Sequence, residues 1–294
     1  MTTVDNDLFR AEARKGFVIK STFDILAQRL IWAKMSFTKK GIMMRIDDTD
    51  NTVLFDMSYP RDYFASYRCE RDFSVSIPVS QVQKLLRNVK KKDGIVIRIS
   101  NNDHRKLHFE IKSETSRSVP RRERINVDIV VGEIGTVVDL PDGGYNYPMV
   151  IESSEYQKIK KFSSVNVRII SLRMQSNNFI EFRGQSEKIF SDSLEYGAII
   201  DNPEDVDDDE DNFNTGDDDI PGLYQEEFAM AAFSMLIKAA ALGQTMAFYR
   251  PKRKGFPLLV KLKPGEFAYF DIYLKDKAQI EFEKMVKEKK TKTK

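Results

Sequence analysis

The sequence predicts an α+β protein made of two similar halves. Three observations carry this reading. Helix-period and strand-period stretches follow one another as helix, strands, helix, strands, and that order occurs twice. Each half runs to about 130 residues, the size of an ordinary domain. Hydrophobic residues make up 41% of the 294, enough to fill a core in each half.

The elements follow in order. In residues 16–34, Ile19, Phe23, Leu26 and Leu30 recur at helical spacing, which predicts a first helix. Strand-like runs come next: GIMMRIDD, TVLFDMSY and RDFSVSIP. Residues 78–91, PVSQVQKLLRNVKK, read as a second helix, with Pro78 suited to its first turn. GIVIRIS and KLHFEIKS read as strands, 114–124 is polar and arginine-rich, and 125–150 is extended with a Pro-Asp-Gly-Gly turn at 141–144. The second half repeats the order. A short helix is expected at 153–163, then VNVRIISLRM, NFIEFRGQ and EKIFSDSL as strands, a helix at about 224–242, and QTMAFYRP, FPLLVKLK and FAYFDIYL as strands. The end, 277–294, starts amphipathic and becomes basic.

Charge divides the chain unevenly. Segment 201–219 holds eleven acidic residues and no basic one; removing those eleven charges from the overall +2 leaves +13 on the rest. A basic body of this kind suits a polyanionic partner. The acidic segment cannot bury apolar surface and reads as flexible. It lacks the glycine and ligand spacing of a calcium loop, so no metal is expected. With His104, His108 and Cys69 as the only histidines and cysteine, there is little material for zinc or for a His-activated nucleophile. Neither a catalytic residue nor a cofactor is expected. Cys69 reads as an inert buried thiol, and a single cysteine fits a reducing, intracellular setting. No apolar run approaches the ~20 residues of a membrane helix, so no membrane partner is expected.

Two helices separate apolar from cationic faces. With Val82 at zero, Leu85, Leu86 and Val89 fall within about 60°, while Lys84, Arg87 and Lys91 fall between about 140° and 200°. In 153–163, Ile159 and Phe162 share a side with Tyr156 next to them, Lys160 and Lys161 point away, and Lys158 is lateral. Lys20 flanks the first helix and Lys238 lies on the last. Any one such helix is an ordinary surface helix; cationic helices in equivalent places of two repeats suit a phosphate backbone, read without regard to sequence.

The stretch YRCERDFSVSIPVSQVQKLL, 67–86, resembles the processivity-clamp family of proliferating cell nuclear antigen (PCNA). Tyr67, Arg68, Cys69, Glu70 and Arg71 match the family's tyrosine-arginine-cysteine-acidic-arginine run ahead of a strand and a short helix. LFRAEARKGFVIKSTFDIL resembles the clamp's start through Phe9, Ala11, Gly16, Lys20 and Leu26. GIMMRIDDTDNTVLFDM, LPDGGY, FAMAAFSMLIKAA and FPLLVKLKPGEFAYFDIYL resemble the next hairpin, the interdomain linker, the last helix and the final two strands. The likeness is close over 8–112 and 224–275 and looser between. It implies two similar clamp domains with helices inside and sheets outside: 1–124, a connector at 125–147, 148–276, and a basic tail at 277–294.

The resemblance further implies a non-enzymatic DNA sliding clamp, a homotrimeric ring around duplex DNA that tethers a DNA polymerase and other clamp-binding peptides, with a clamp loader as a further partner. Lys20, Lys84, Arg87, Lys91, Lys158, Lys161 and Lys238 would face the DNA. Asn51, Thr52, Leu54, Leu140, Pro141, Tyr145, Pro257, Tyr273 and Leu274 would form a partner-peptide pocket. Unpaired edges for ring closure are expected near 106–113 and 185–192. The basic tail, the acidic segment, and Lys275 with Asp276 in place of a small residue and a proline depart from the family. Such divergence resembles a clamp of a large DNA virus or a distant eukaryotic lineage, working in a nucleus or at a cytoplasmic viral replication site. The alternative is a clamp-derived transcription or checkpoint factor without a homotrimeric ring. A nuclease would need clustered carboxylates on ordered strands, which the pattern does not supply.

Overall fold

The structure, a computed structural model, describes residues 6–113, 121–133, 138–141, 144–175, 178–186, 190–199 and 223–292. The acidic segment 201–219 lies outside them. The chain divides into two compact units: residues 1–49, 55–138 and 263–270, and residues 50–54, 139–262 and 271–294.

The first unit contains β1 (Asp7–Ala13), α1 (Gly16–Leu26), β2 (Trp32–Thr38), β3 (Gly41–Asp47), most of β4 (Val53–Pro60), β5 (Ser66–Cys69), β6 (Phe73–Pro78), α2 (Val79–Leu85), β7 (Gly94–Ser100), β8 (Asp103–Ser113), β9 (Arg121–Asp128) and β10 (Val130–Gly132). One sheet runs β5–β1–β7–β8–β9, and β10–β6–β2–β3–β4 are neighbours in another. Helix α1 turns Val18, Ile19, Phe23 and Leu26 inward, and Phe23 meets Phe109 of β8 edge-on at 6.4 Å. Helix α2 buries Val79 and Val82 and packs beside α1. At the β2–β3 turn Gly41 has φ +150°, and a Cβ there would lie 2.4 Å from the Tyr59 carbonyl oxygen, so the turn requires glycine.

The second unit contains β11 (Met149–Glu152), α3 (Ser153–Tyr156), α4 (Lys160–Ser164), β12 (Ile169–Gln175), β13 (Phe179–Ser186), β14 (Phe190–Gly197), β15 (Leu223–Ala229), α5 (Met230–Ala239), β16 (Thr245–Tyr249), β17 (Leu258–Leu262), most of β18 (Tyr269–Leu274) and α6 (Lys277–Lys292). A four-stranded sheet runs β14–β13–β12–β15, and β18–β17–β16–β11 are neighbours in another. The core is aromatic: Phe182 meets Tyr156, Phe233 and Phe248 with ring centroids 5.6–5.8 Å apart. The Tyr156 hydroxyl, fully buried, donates to the Phe233 carbonyl at 3.1 Å, so its burial leaves no stranded donor.

Each unit therefore reads strand, helix, strands, helix, strands, and the α+β class with two similar domains stands. Four element readings need correction. The first helix stops at Leu26, not 34, because Trp32–Phe37 alternates exposed and buried with period two and pairs with β6. The second helix is α only to Leu85; Leu86–Asn88 tightens to a 3-10 turn, which leaves Leu85 exposed and Lys91 in the following loop. Residues 224–229, read as helix, form β15, since Tyr224 and Phe228 face inward on a strand paired with β12. The stretch 106–113 lies in β8, paired on both sides with β7 and β9, so β9 is the edge. The other expected edge, 185–192, straddles the β13–β14 hairpin, and β14 is the edge strand there.

Candidate nucleic-acid interface and peptide pocket

The cationic residues group within each unit. In the first, Lys20 and Lys91 bracket the half-buried ring of Phe17, at 5.4 and 6.0 Å from its centroid. Phe17 thus gathers a helix cation and a loop cation that the helical wheel had placed on different helices. Lys20 Nζ also donates to Asp24 Oδ2 at 2.6 Å. Lys84 on α2, Arg87 on the 3-10 turn, and Lys91 are exposed. Burial of Val79, Val82 and Leu86 turns them outward.

In the second unit, α4 and α5 pack together, with Ser163 and Ser234 hydroxyls 3.0 Å apart. Lys158 lies on the turn between α3 and α4, its Nζ 2.7 Å from Glu155. Lys238 is exposed on α5. Lys161 is directed to the sheet edge, where its ammonium meets Asp192 of β14 at 2.5 Å and lies 5.2 Å from the Phe162 centroid. Exposed pairs of this kind are worth under about 1 kcal/mol, so a phosphate can take the lysine from its carboxylate.

Of the expected pocket residues, Leu54, Tyr145, Pro257 and Tyr273 come together within the second unit. Leu54, Leu259 and Tyr273 form a buried apolar cluster, with Tyr145 and Tyr249 half-buried against it. The Tyr145 and Tyr273 rings lie 6.3 Å apart, and the Tyr145 hydroxyl donates to the Pro257 carbonyl at 3.1 Å. Segment 144–146 is pinned by a bridge of Tyr145 to Pro251 and by amides of Asn146 and Lys252 bonded to the carbonyls of Arg250 and Gly144. Leu140 remains 37% exposed and Pro141 half-buried, while Leu274 is wholly buried. The Thr52 carbonyl accepts the Lys275 amide at 3.0 Å, and Asn51 holds φ +56°. Sequence reasoning missed Leu259 and Tyr249. Both lie out of phase with the inward Phe248 and Val260, on the face they share with Lys261, so the core pattern does not mark them; the β16–β17 pairing of Tyr249 with Leu259 puts them side by side.

Tyr145 also lies within electrostatic reach of Tyr224, whose hydroxyl is buried without a hydrogen-bond partner among the described residues. Burial, and then the facing Asp276, push Glu226 up to about 7, while Lys254 pulls the other way. Asp276 is also raised, by burial. Cys69 is half-buried and its Sγ–H points at the Arg71 carbonyl, 3.0 Å away. Burial, reinforced by Asp72, raises the thiol to about 11, so the nucleophilic thiolate is scarce at neutral pH.

Comparison with known proteins follows this geometry. Residues 8–130 match the model for "Proliferating cell nuclear antigen, N-terminal domain". The chain is 24% identical over 267 residues to the probable DNA polymerase sliding clamp 1 of Paramecium bursaria Chlorella virus 1, covering 90% of this chain and 95% of that one. It is 30% identical over 88 residues to DNA polymerase sliding clamp 1 of Thermococcus kodakarensis, which is 35% of that protein. Among solved structures, PCNA from Entamoeba histolytica superposes with a TM-score of 0.71 at 16% identity, covering 92% of this chain and 99% of that one. The PCNA2–PCNA3 complex of Sulfolobus tokodaii gives 0.70 at 12% identity, with the same coverage. Taken with the two similar α+β units, these matches make the chain similar to DNA sliding clamps in sequence and fold, with the likeness to the proliferating cell nuclear antigen N-terminal domain confined to residues 8–130.

Proposed function

We propose that this protein is a sliding clamp that encircles duplex DNA as a head-to-tail homotrimer and tethers a polymerase and other partners through short peptides. Sliding clamps are non-enzymatic processivity factors, and this one acts at an intracellular replication site, with a loader to open it. The observation that carries the reading is the same arrangement in both units: helices that bury apolar residues on one side and hold cations outward, Lys84 and Arg87 in the first and Lys158 and Lys238 in the second. Ammonium and guanidinium groups on short helices contact phosphates without reading bases, which suits a protein that must slide. Lys161, directed to Asp192, contributes least.

The test is duplex binding by the double variant Lys84→Glu/Arg87→Glu. Affinity should fall equally for duplexes of unrelated sequence, and the slope of log affinity against log salt should become shallower. Loss that depended on base sequence would overturn backbone-only contact.

A further inference from the structure

We propose that Asn51 and Lys275 form a carboxylate-binding subsite at the rim of the peptide pocket, which the chain's own Glu283 fills until a partner's acidic side chain displaces it. This rests on the peptide-pocket reading above.

Glu283 lies in the second turn of α6. Its Oε1 accepts from Lys275 Nζ at 2.6 Å, and its Oε2 accepts from Asn51 Nδ2 at 3.3 Å. The two donors come from chain stretches far apart in sequence, held together by the Lys275 amide bond to the Thr52 carbonyl. Asn51 can offer its amide there because asparagine tolerates the left-handed backbone that the turn imposes. One ammonium and one amide converging on two carboxylate oxygens is the chemistry of carboxylate recognition.

The carboxylate now in place is loosely held. Helix α6 starts in a capping box: the Gln279 amide donates to Asp276 Oδ1 at 2.7 Å, and the Asp276 amide donates to Gln279 Oε1 at 3.0 Å. That box sets the helix direction and so delivers Glu283 to the rim. Beyond it, Lys277 meets Glu227 at 3.3 Å with both side chains about half exposed. Phe282 and Met285 stand 64% and 54% exposed instead of packing down. The Lys275–Glu283 pair is itself partly solvated, at 23% and 38%. Half-exposed pairs are weak in water, so a competing carboxylate of higher effective concentration can replace Glu283. A peptide whose apolar and aromatic plug enters beside Tyr145 and Tyr273 would bring such a group to the rim. The device favours partners with an acidic residue flanking the plug.

The test uses the full chain and two fluorescein-labelled peptides with the same apolar-aromatic plug, one flanked by glutamate and one by glutamine, read by anisotropy. In the wild type the glutamate peptide should bind more tightly. Glu283→Gln should strengthen the glutamate peptide roughly three- to fivefold, the scale of one partly exposed ion pair, and leave the glutamine peptide nearly unchanged. Lys275→Ala should erase the difference between the peptides. If both peptides bind but their ratio is the same in all three proteins, the subsite is overturned and the pocket stands. If neither peptide binds any of them, the pocket reading falls and takes the subsite with it.

Discussion

Tyr145 shows most clearly what a single residue contributes. Its ring leans on Tyr273, its hydroxyl is spent on the Pro257 carbonyl, and its backbone is bridged to Pro251. It is therefore a fixed wall rather than a mobile contact, and Leu140 offers exposed apolar surface nearby in the chain. Removing an anchor of this kind commonly costs about 2 kcal/mol of binding. Leu140→Ala or Tyr145→Ala should weaken a clamp-binding peptide about thirtyfold by calorimetry, with the oligomer unchanged. Unchanged affinity in both would remove the pocket from this place. Glu226 offers a pH test. Its folded pKa of about 7 lies above the ordinary 4.5, so its contribution to stability is complete below about 4.5 and is lost as pH rises through about 7. The groups that face it are Asp276, Glu227 and Lys254. The melting temperature of the wild type should decline across that window, and Glu226→Gln should flatten the decline. The resemblance pointed to Leu54, Tyr145 and Tyr273, which do pack together, and not to Leu259 or Tyr249. The Glu226–Asp276 opposition was not legible, because fifty residues separate them and no local pattern marks a buried carboxylate.

At the scale of elements, the strands at the sheet edges are where the proposed assembly would close. Among the described residues β9 pairs in its sheet with β8 alone, and β14 with β13 alone. Edge strands expose unpaired backbone groups and invite pairing with a second chain. Their side chains differ in sign: Arg122 and Arg124 are exposed on β9, Glu195 on β14, and Asp192 is half-exposed there. A head-to-tail contact between β9 of one protomer and β14 of the next would set these charges opposite one another. Arg124→Glu should shift the protein toward smaller species in light scattering, and mixing it with Glu195→Arg should restore the larger one. Failure of the mixture to recover would mean that another pair of edges closes the assembly. The sequence placed the first edge wrongly because 114–124 looked too polar and arginine-rich for a strand. An edge strand tolerates that composition: one flank is open to water, and Ile125 and Val127 supply its buried side chains among the described residues. The error at 224–229 has a related cause. Its alternation is short and runs directly into the helical period of α5, so a window spanning both sees mostly the helix.

For the whole molecule, the proposed trimer makes a direct prediction. Size-exclusion chromatography with light scattering at micromolar concentration should give three times the 34.0 kDa of one chain. Duplex affinity should drop steeply with added salt, because counterion release from the phosphates drives binding. A strictly monomeric species would instead favour a clamp-derived factor without a homotrimeric ring. The net charge of +2 gives little hint of this behaviour, since the acidic segment 201–219 masks a strongly basic remainder. Distribution, not total, governs the field that DNA meets.

The sequence by itself determined the α+β class, the repeated order of elements and the likeness to sliding clamps, because periodicity and local motifs are properties of contiguous residues. The tertiary structure decided what distance in sequence hides. It ended α1 at Leu26, made β9 and β14 the edges, drew Lys161 to Asp192, and set Glu283 between Asn51 and Lys275. Lys161 with Asp192 and Asn51 with Glu283 join residues more than thirty apart, the end of α1 reflects competition between helix and strand, and the edges are the strands that find no second neighbour among the described residues. Such choices are settled by burial and hydrogen bonding across the fold, not by the residues on either side.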